Sequence, residues 1–257
     1  QDHRALLRAL GAGGAPAGSR HRSVTASTSM ATAPSDTADG VPTTNGQSAA
    51  VHSEPEPQSK EDLTPKAKDI FLLARQQNFP VAMKLLETHP ELWLARDDEG
   101  HSLLHWGALV GSVEFCKAAL ASGVEVDNLA ENGQTPLMWA VLRGHVQVSR
   151  LLLDHKASLH VRDSLGATPL MIAIQHRNYQ SMLLIMHRGN RQALLADCDK
   201  NGCSCIHWAS YKGDLTALKL LDYFDADPLV LDNSKMLPLH RAVCASQGAV
   251  VEFLLEK

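Results

Sequence analysis

The sequence lacks the features on which many functions depend. It has no stretch of about 18 uninterrupted apolar residues, so it predicts no membrane-spanning helix. Its charge is nearly balanced, with 24 Lys and Arg against 28 Asp and Glu, which gives no indication of nucleic acid or an anionic membrane as a partner. No Gly-rich phosphate loop, Ser–His–Asp arrangement or paired-carboxylate motif stands out. We therefore expect no catalytic residue in this chain.

Cysteine is scarce, with five residues in 257. An odd number in a chain of this length argues against a disulfide framework and favours a reducing compartment, the cytosol or the nucleus. Cys203 and Cys205 form a Cys-x-Cys pair beside His207, but zinc needs four ligands at suitable spacing, commonly as two pairs. We therefore expect no metal site there.

Residues 1–62 contain no Ile and no Phe, Trp or Tyr, and they are rich in Ala, Ser, Thr, Gly and Pro. Such a composition cannot bury enough apolar surface to offset the entropy of ordering, so we expect a disordered low-complexity tail. Two interpretations of its beginning stay open. The first 29 residues are loosely like a transit peptide, or Met30 is the true start of the protein.

What the sequence does contain is a block that returns at a nearly fixed period. Five copies follow Gly100, Gly133, Gly166, Gly202 and Lys235, at spacings of 33, 33, 36 and 33 residues. They read HSLLHWGA, QTPLMWAV, ATPLMIAI, CSCIHWAS and MLPLHRAV. A period of this length indicates one supersecondary unit repeated in a stack, which offers a long surface to partners.

Each copy predicts two helices. A Thr-Pro pair in the second and third copies begins the first helix, and a small residue within it lets neighbouring helices approach closely. A turn glycine such as Gly144 ends that helix, and an apolar second helix follows. The third copy has Arg177 and Asn178 in place of the turn glycine, and we expect Asn178 to adopt the left-handed conformation. Its three extra residues should lengthen the outgoing loop.

The repeat pattern extends in both directions from these copies. Ala74 lies one period before the small residue Gly107, so the segment from Leu63 is expected to be a degenerate first repeat, with Thr64 and Pro65 as helix N-cap and first helical residue. The chain ends at Lys257 within an apolar run, and we interpret the domain, residues 63–257, as truncated at its C-terminus.

One position of the repeat, six residues after the anchor, is rich in tryptophan. It holds Trp106, Trp139, Ile172, Trp208 and Arg241. This slot is expected to face outward along a groove, with neighbours about 8–10 Å apart, and exposed indoles there would grip a partner. In the alternative interpretation each indole only covers the next repeat. We favour recognition for Trp139, and both interpretations stay open for Trp208.

Other polar positions of the repeat favour structural roles. His105, His207 and His240 share one slot, where a histidine is expected to form hydrogen bonds between neighbouring loops. The acidic run from Asp97 to Glu99 is expected to form turns and to face solvent. Trp93 lies outside the repeat register and is expected to pack locally.

The combination of Gly, Thr-Pro-Leu-His, Ala, Gly and Leu-Leu at this period resembles the ankyrin repeat over roughly residues 65–257. The resemblance implies an all-α solenoid of a degenerate N-terminal repeat and about five further repeats. Paired helices would stack into a curved slab with hairpin loops along one edge.

The runs HSLLHWGALVGS, NGQTPLMWAVLRGH and NGCSCIHWASYKGD further resemble the ankyrin domain of Asp-His-His-Cys-type protein S-acyltransferases, the palmitoyltransferases. This resemblance implies a cytosolic module that recruits extended substrate segments, with Trp139 contributing to binding. The parent enzyme would be a multi-pass protein of the Golgi or another endomembrane, using palmitoyl-CoA and structural zinc. No cofactor or membrane contact is implied for this segment. The alternative is a free-standing ankyrin scaffold without enzymatic activity.

Overall fold

The computed structural model of the protein describes residues 65–257, which form thirteen α-helices, one 3-10 helix and, within that range, no β-strand. The region 1–62, Met30 and Thr64 lie outside the described residues. The α-helices are α1 (Pro65–Arg75), α2 (Phe79–Thr88), α3 (Leu103–Val110), α4 (Val113–Ala121), α5 (Pro136–Arg143), α6 (Val146–Asp154), α7 (Pro169–Gln175), α8 (Tyr179–Arg188), α9 (Arg191–Ala196), α10 (Cys205–Tyr211), α11 (Leu215–Tyr223), α12 (Pro238–Cys244) and α13 (Gly248–Leu255). The 3-10 helix is Pro90–Leu94.

Twelve of these helices form six pairs that stack side by side. The first helices of the pairs contact one another in the order α1, α3, α5, α7, α10 and α12, and we call them the inner row. The second helices form an outer row, which packs as α4, α6 and α8 and again as α11 and α13. The predicted all-α solenoid, a degenerate first repeat followed by five more, is confirmed.

The small residue of each copy explains how closely the two rows approach. The slot is buried in every repeat, and its alanines have no exposed surface. At Gly107 an added Cβ would lie 2.9 Å from the Phe115 ring and 3.0 Å from the Cys116 sulfur, both on the following helix α4. A larger side chain would therefore force α3 and α4 apart, because protein interiors are close-packed.

The turn between the two helices of a pair uses one left-handed residue in all six repeats. These residues have φ between 56° and 85° and are Gln77, Gly111, Gly144, Arg177, Gly213 and Ser246. The expectation that Asn178 takes this conformation is wrong, because Arg177 does so and Asn178 has φ −86°. The Asn178 amide instead donates hydrogen bonds to the carbonyls of Val141 (2.6 Å) and Leu142 (3.1 Å), which ties the turn to the end of α5.

The hairpin loops are joined to one another by the backbone. From the second hairpin onward, an N–H of each hairpin donates to a carbonyl of the preceding hairpin, one repeat away along the chain. The four bonds are Glu131 to Glu99 (3.0 Å), Ser164 to Asn132 (2.8 Å), Lys200 to Leu165 (3.2 Å) and Asn233 to Asn201 (3.0 Å). Each accepting residue directly precedes an anchor glycine, so the tight turn at that glycine presents the carbonyl to the next repeat.

The segment lengthened by the three extra residues of the third copy contains the six-residue helix α9 and is not a longer irregular loop. The side chain of Asn190 accepts a hydrogen bond from the Ala193 N–H and caps α9, and Leu194 is fully buried. Arg191 lies over the ring of Phe224, 5.0 Å from its centroid, and so connects α9 to the next repeat. A capped helix satisfies the backbone polar groups that a loop of this length would leave to water.

Replacement of Gly166 by alanine tests the contact between hairpins. Gly166 and Gly123 have φ of 84° and 87°, so alanine is strained at both, but only at Gly166 would a Cβ meet the next hairpin, 2.6 Å from the Lys200 nitrogen. We expect Gly123→Ala to lower the free energy of unfolding by about 1 kcal/mol and Gly166→Ala to lower it by at least about 1 kcal/mol more, measured by urea unfolding. Equal losses would contradict this packing of the hairpins.

Candidate functional site

The tryptophan slot lies on the inner row, with one residue on each of five successive helices. Trp106, Trp208 and Arg241 are half-buried, as a groove-lining position requires. Trp139 and Ile172 are only 8% and 5% exposed. The expected row of outward-facing side chains is therefore wrong at these two central repeats. A role in binding stays a prediction for all five residues.

Trp139 is covered by the repeat that precedes it. Its ring lies 4.5 Å from the ring of His101, 5.3 Å from that of His105 and 5.5 Å from that of Trp106, the last at 87°. Edge-to-face contacts of this kind suit the aromatic quadrupole. The interpretation in which the indole covers a neighbouring repeat thus describes Trp139, although the neighbour is the preceding repeat and not the next one.

A buried aspartate in the hairpin holds the slot residue in three of the repeats. The indole N–H of Trp106 donates to Asp97 (3.2 Å) and that of Trp208 donates to Asp199 (3.1 Å). In the last repeat the Arg241 guanidinium occupies the same place and donates to Asp232 (2.8 Å from Nε). The expectation that Asp97 faces solvent is wrong, since its side chain is buried.

The second oxygen of each aspartate closes the hairpin. Asp97 accepts hydrogen bonds from the N–H groups of Glu99 (3.1 Å) and His101 (2.8 Å), and Asp199 accepts the equivalent pair from Asn201 and Cys203. Burial opposes ionisation of Asp97, but the backbone hydrogen bond and the charge of His101 outweigh it, and its pKa is lowered. One charged carboxylate therefore fixes both the hairpin and the slot side chain.

Sequence reasoning missed this arrangement, although its signal is visible. An aspartate recurs three residues before the anchor at Asp97, Asp163, Asp199 and Asp232, always nine residues before the slot. The second copy has Ala130 at that position. There the Trp139 indole donates to the Gln134 side chain instead (2.8 Å). Trp139 is also the most buried tryptophan of the slot.

The degenerate first repeat also contributes to the slot. Arg75, the last residue of α1, lies over the Trp106 ring, 5.1 Å from its centroid, and donates a hydrogen bond to Asp97 (3.3 Å). The guanidinium thereby covers one face of the indole by a cation–π contact. Trp93 packs locally as expected, because it is buried with its ring 5.3 Å from that of Phe115.

The histidine slot joins neighbouring loops at His105 and His207, as predicted, whereas His240, within the described residues, accepts a hydrogen bond only from the Leu237 N–H of its own repeat. The Nδ1 atom of His105 accepts a hydrogen bond from the Ser102 N–H (3.1 Å), and its Nε2 lies 3.1 Å from the Gln134 carbonyl of the next hairpin. His207 makes the same pair of contacts with Ser204 and Met236. Burial lowers the pKa of His105 to about 4 and also lowers that of His207, so both rings are neutral at pH 7.

The Cys-x-Cys pair shows no metal-binding geometry. Burial raises the pKa of Cys205 to about 12 and that of Cys203 to about 11, so both thiols are protonated at neutral pH. The Cys203 sulfur lies 3.8 Å from the Asp232 carboxylate, to which it donates. Within residues 65–257 no three His, Cys, Asp or Glu side chains are grouped so that they could hold a metal ion.

Comparison with protein families agrees with this architecture. A family model for ankyrin repeats matches residues 104–193 and 182–257, which together make up more than half of the chain. The chain therefore belongs to the ankyrin-repeat family. No helix in the described part of the chain has the length and apolar character needed to cross a bilayer.

Among curated proteins the chain is similar to palmitoyltransferase AKR1 of Candida albicans. The two are 32% identical over 66 residues, which is 26% of this chain and 8% of the relative. The similarity thus concerns a small part of a much longer protein.

The buried histidines predict how stability responds to pH. The folded-state pKa of His105 is about 4, whereas the unfolded chain titrates near 6.5, so the unfolded state binds more protons between these values. Protonation of His105 in the unfolded state should therefore lower the free energy of unfolding by about 3 kcal/mol as the pH drops from 6.5 to 4. Denaturant unfolding measures the free energy of unfolding across this pH range. In His105→Gln it should depend less steeply on pH than in the wild type. Identical slopes in the two proteins would contradict the neutral buried ring.

Proposed function

We propose that the inner row is a protein-binding groove and that this chain is the substrate-recruiting module of a membrane-bound protein S-acyltransferase. The groove would take an extended segment of a partner protein. The catalytic cysteine, palmitoyl-CoA and structural zinc would belong to other parts of the parent protein, which would be a multi-pass protein of the Golgi or another endomembrane with this module on the cytosolic side.

The observation that carries the binding role is the way in which the half-buried indoles are fixed. Trp106 and Trp208 are each anchored through the indole N–H to a buried carboxylate, so the rings are held before any partner arrives. Rigid aromatic side chains at a partly exposed position lose little entropy on binding and are frequent hot spots of interfaces. A stack of repeats supplies such residues along one continuous surface.

The acyltransferase role is supported by the likeness of 66 residues of this chain to a palmitoyltransferase. The groove itself would supply binding and not the catalytic cysteine. The Cys203 and Cys205 thiols are protonated and buried, and the slot histidines are held by backbone groups. Recruitment to a tethered groove raises the effective concentration of substrate at a distant catalytic centre, and this works even with modest affinity.

Trp208 is the most direct probe of the groove. We expect Trp208→Ala to weaken binding of a linear peptide selected against the chain by at least about tenfold, because an anchored indole is lost. Tyr223→Ala is the matched control, since Tyr223 is an exposed aromatic residue on the outer helix α11. Affinity would be measured by isothermal titration calorimetry. Equal affinity of wild type and Trp208→Ala would exclude this residue from the binding surface.

Trp139 is expected to behave differently from Trp208. Because it is 8% exposed and packs against three aromatic rings, Trp139→Ala should lower the free energy of unfolding by about 3–5 kcal/mol in addition to any loss of binding. Urea unfolding of both variants checks this, with a smaller loss expected for Trp208→Ala. A loss of binding in Trp139→Ala without a loss of stability would show that the ring faces the partner.

The acyltransferase role is tested with the full-length protein that contains this chain. Incubated with labelled palmitoyl-CoA, it should acylate itself and a partner protein bound by the groove. Trp208→Ala should reduce acylation of the partner and leave self-acylation unchanged. Absence of any acylation, with partner binding intact, would indicate the alternative, an ankyrin scaffold without enzymatic activity.

A further inference from the structure

A cleft of about 460 Å³ lies at the ends of the first three inner helices. Its apolar part comes from Trp106 and Leu109 on α3 and from Leu142 on α5. Its cationic part comes from the side chains of Arg75 and Arg143. A volume of this size lies within the range of protein pockets that hold ligands. The lining also includes the polar residues Gln77 and His145, so the cleft combines apolar surface with cationic and neutral polar groups.

Contacts within the chain brace the wall of this cleft. The Nε2 of His145 donates a hydrogen bond to the Leu109 carbonyl (3.0 Å). The His145 ring also packs against Gly111, since a Cβ added to this glycine would lie 2.6 Å from the ring. The last carbonyls of α5 are already bonded to Asn178. The Arg143 guanidinium is therefore not needed to cap its own helix.

Arg143 is the least engaged cation at the cleft. It is exposed and, among residues 65–257, pairs with no carboxylate. Arg75 is held at Asp97 and stacked on Trp106, but its side chain keeps 49% of its surface exposed. Both guanidinium groups can therefore meet a carboxylate from outside the chain.

The cationic character continues along the turns of the inner row. The next two turns carry Arg177 and Lys212, both exposed, and the Arg177 guanidinium donates to the Lys212 carbonyl (3.2 Å). The one acidic side chain among them, Asp214, is buried, accepts a hydrogen bond from the Tyr179 hydroxyl (2.9 Å) and lies 4.0 Å from the Nε of Arg177, whose side chain stays 61% exposed. This row of cations stands out in a chain whose net charge is −4.

We propose that the cleft and the turns beyond it bind a linear partner segment in which acidic residues flank an apolar one. Arg75 and Arg143 would pair with the acidic residues, and Leu109 and Leu142, which lie beside them, would contact the apolar residue. The proposal rests on the groove of the proposed function and names the chemistry of its occupant. The cations lie around a concavity with Leu109 and Leu142 in its lining, which an extended chain can enter and the flat surface of a bilayer cannot.

The spacing of the repeats sets the spacing of the acids. Adjacent inner helices lie about 8–10 Å apart, and an extended chain advances about 3.3 Å per residue, so one repeat corresponds to about three residues. Arg75 and Arg143 belong to helices two repeats apart, with α3 between them. The matching segment therefore has its apolar residue about three positions from an acidic residue on each side.

Two labelled synthetic peptides test this inference with the full chain. One has a central Leu with Glu about three positions away on each side, and the other has Gln in place of both Glu. By fluorescence anisotropy at low salt, the Glu peptide should bind about fivefold more tightly than the Gln peptide, and this advantage should disappear at high salt. Equal affinity of the two peptides at low salt would overturn the proposal.

Arg143→Gln and Arg150→Gln form a matched pair of variants. Both remove one exposed arginine of the third helix pair, but Arg150 lies on the outer helix α6. Arg143→Gln should reduce the preference for Glu over Gln to about twofold or less, and Arg150→Gln should leave it unchanged. An equal effect of both variants would show that only the total charge matters, and would overturn the proposal.

Further outcomes separate this inference from its alternatives. If vesicles of phosphatidylcholine and phosphatidylserine lose binding in Arg143→Gln while the peptide preference is unchanged, the cations serve a membrane and the proposal fails. If the Glu and Gln peptides bind equally and the separately selected peptide is still weakened by Trp208→Ala, the groove and the proposed function stand, and only the acidic preference is wrong.

Discussion

The backbone hydrogen bond between successive hairpins is the constraint on which the rest of the structure depends. It joins a carbonyl just before the anchor residue of one repeat to an N–H of the next, as between Glu99 and Glu131. Because the same two positions meet in each repeat, every other contact recurs in the same place. The inner helices, the histidine slot and the tryptophan slot are thereby aligned along the stack.

Within that alignment, the buried aspartates join the fold to the groove. In Asp97 and Asp199 one oxygen closes a hairpin and the other holds an indole. A side chain that is fixed in this way by a charged acceptor keeps its position when the groove is empty. Where the aspartate is missing, at Ala130, the indole of Trp139 turns to Gln134 and becomes part of the core. The groove is thus a consequence of hairpin chemistry.

The repeated elements could be predicted from the sequence, whereas the individual environments could not. Period, helix pairs and the burial of the small residues follow from spacing and residue type, and the first repeat follows from Ala74. Exposure at the slot depends on which neighbours cover it, and the contacts of Trp139 with His101 and Trp106 come from another repeat. The same holds for Asn178, whose side chain bonds carbonyls in the preceding repeat, a contact that local conformational preference does not indicate.

The short helix α9 has a consequence for how the stack comes apart. It lies between α8 and α11, and the outer row is bridged at this junction by the Tyr179–Asp214 hydrogen bond (2.9 Å) and by Phe224, with the His187 ring 6.0 Å and the Arg191 guanidinium 5.0 Å from its ring. In a linear array each unit is stabilised only by its neighbours. The two halves of the stack therefore depend at this junction on the contact between the inner helices α7 and α10.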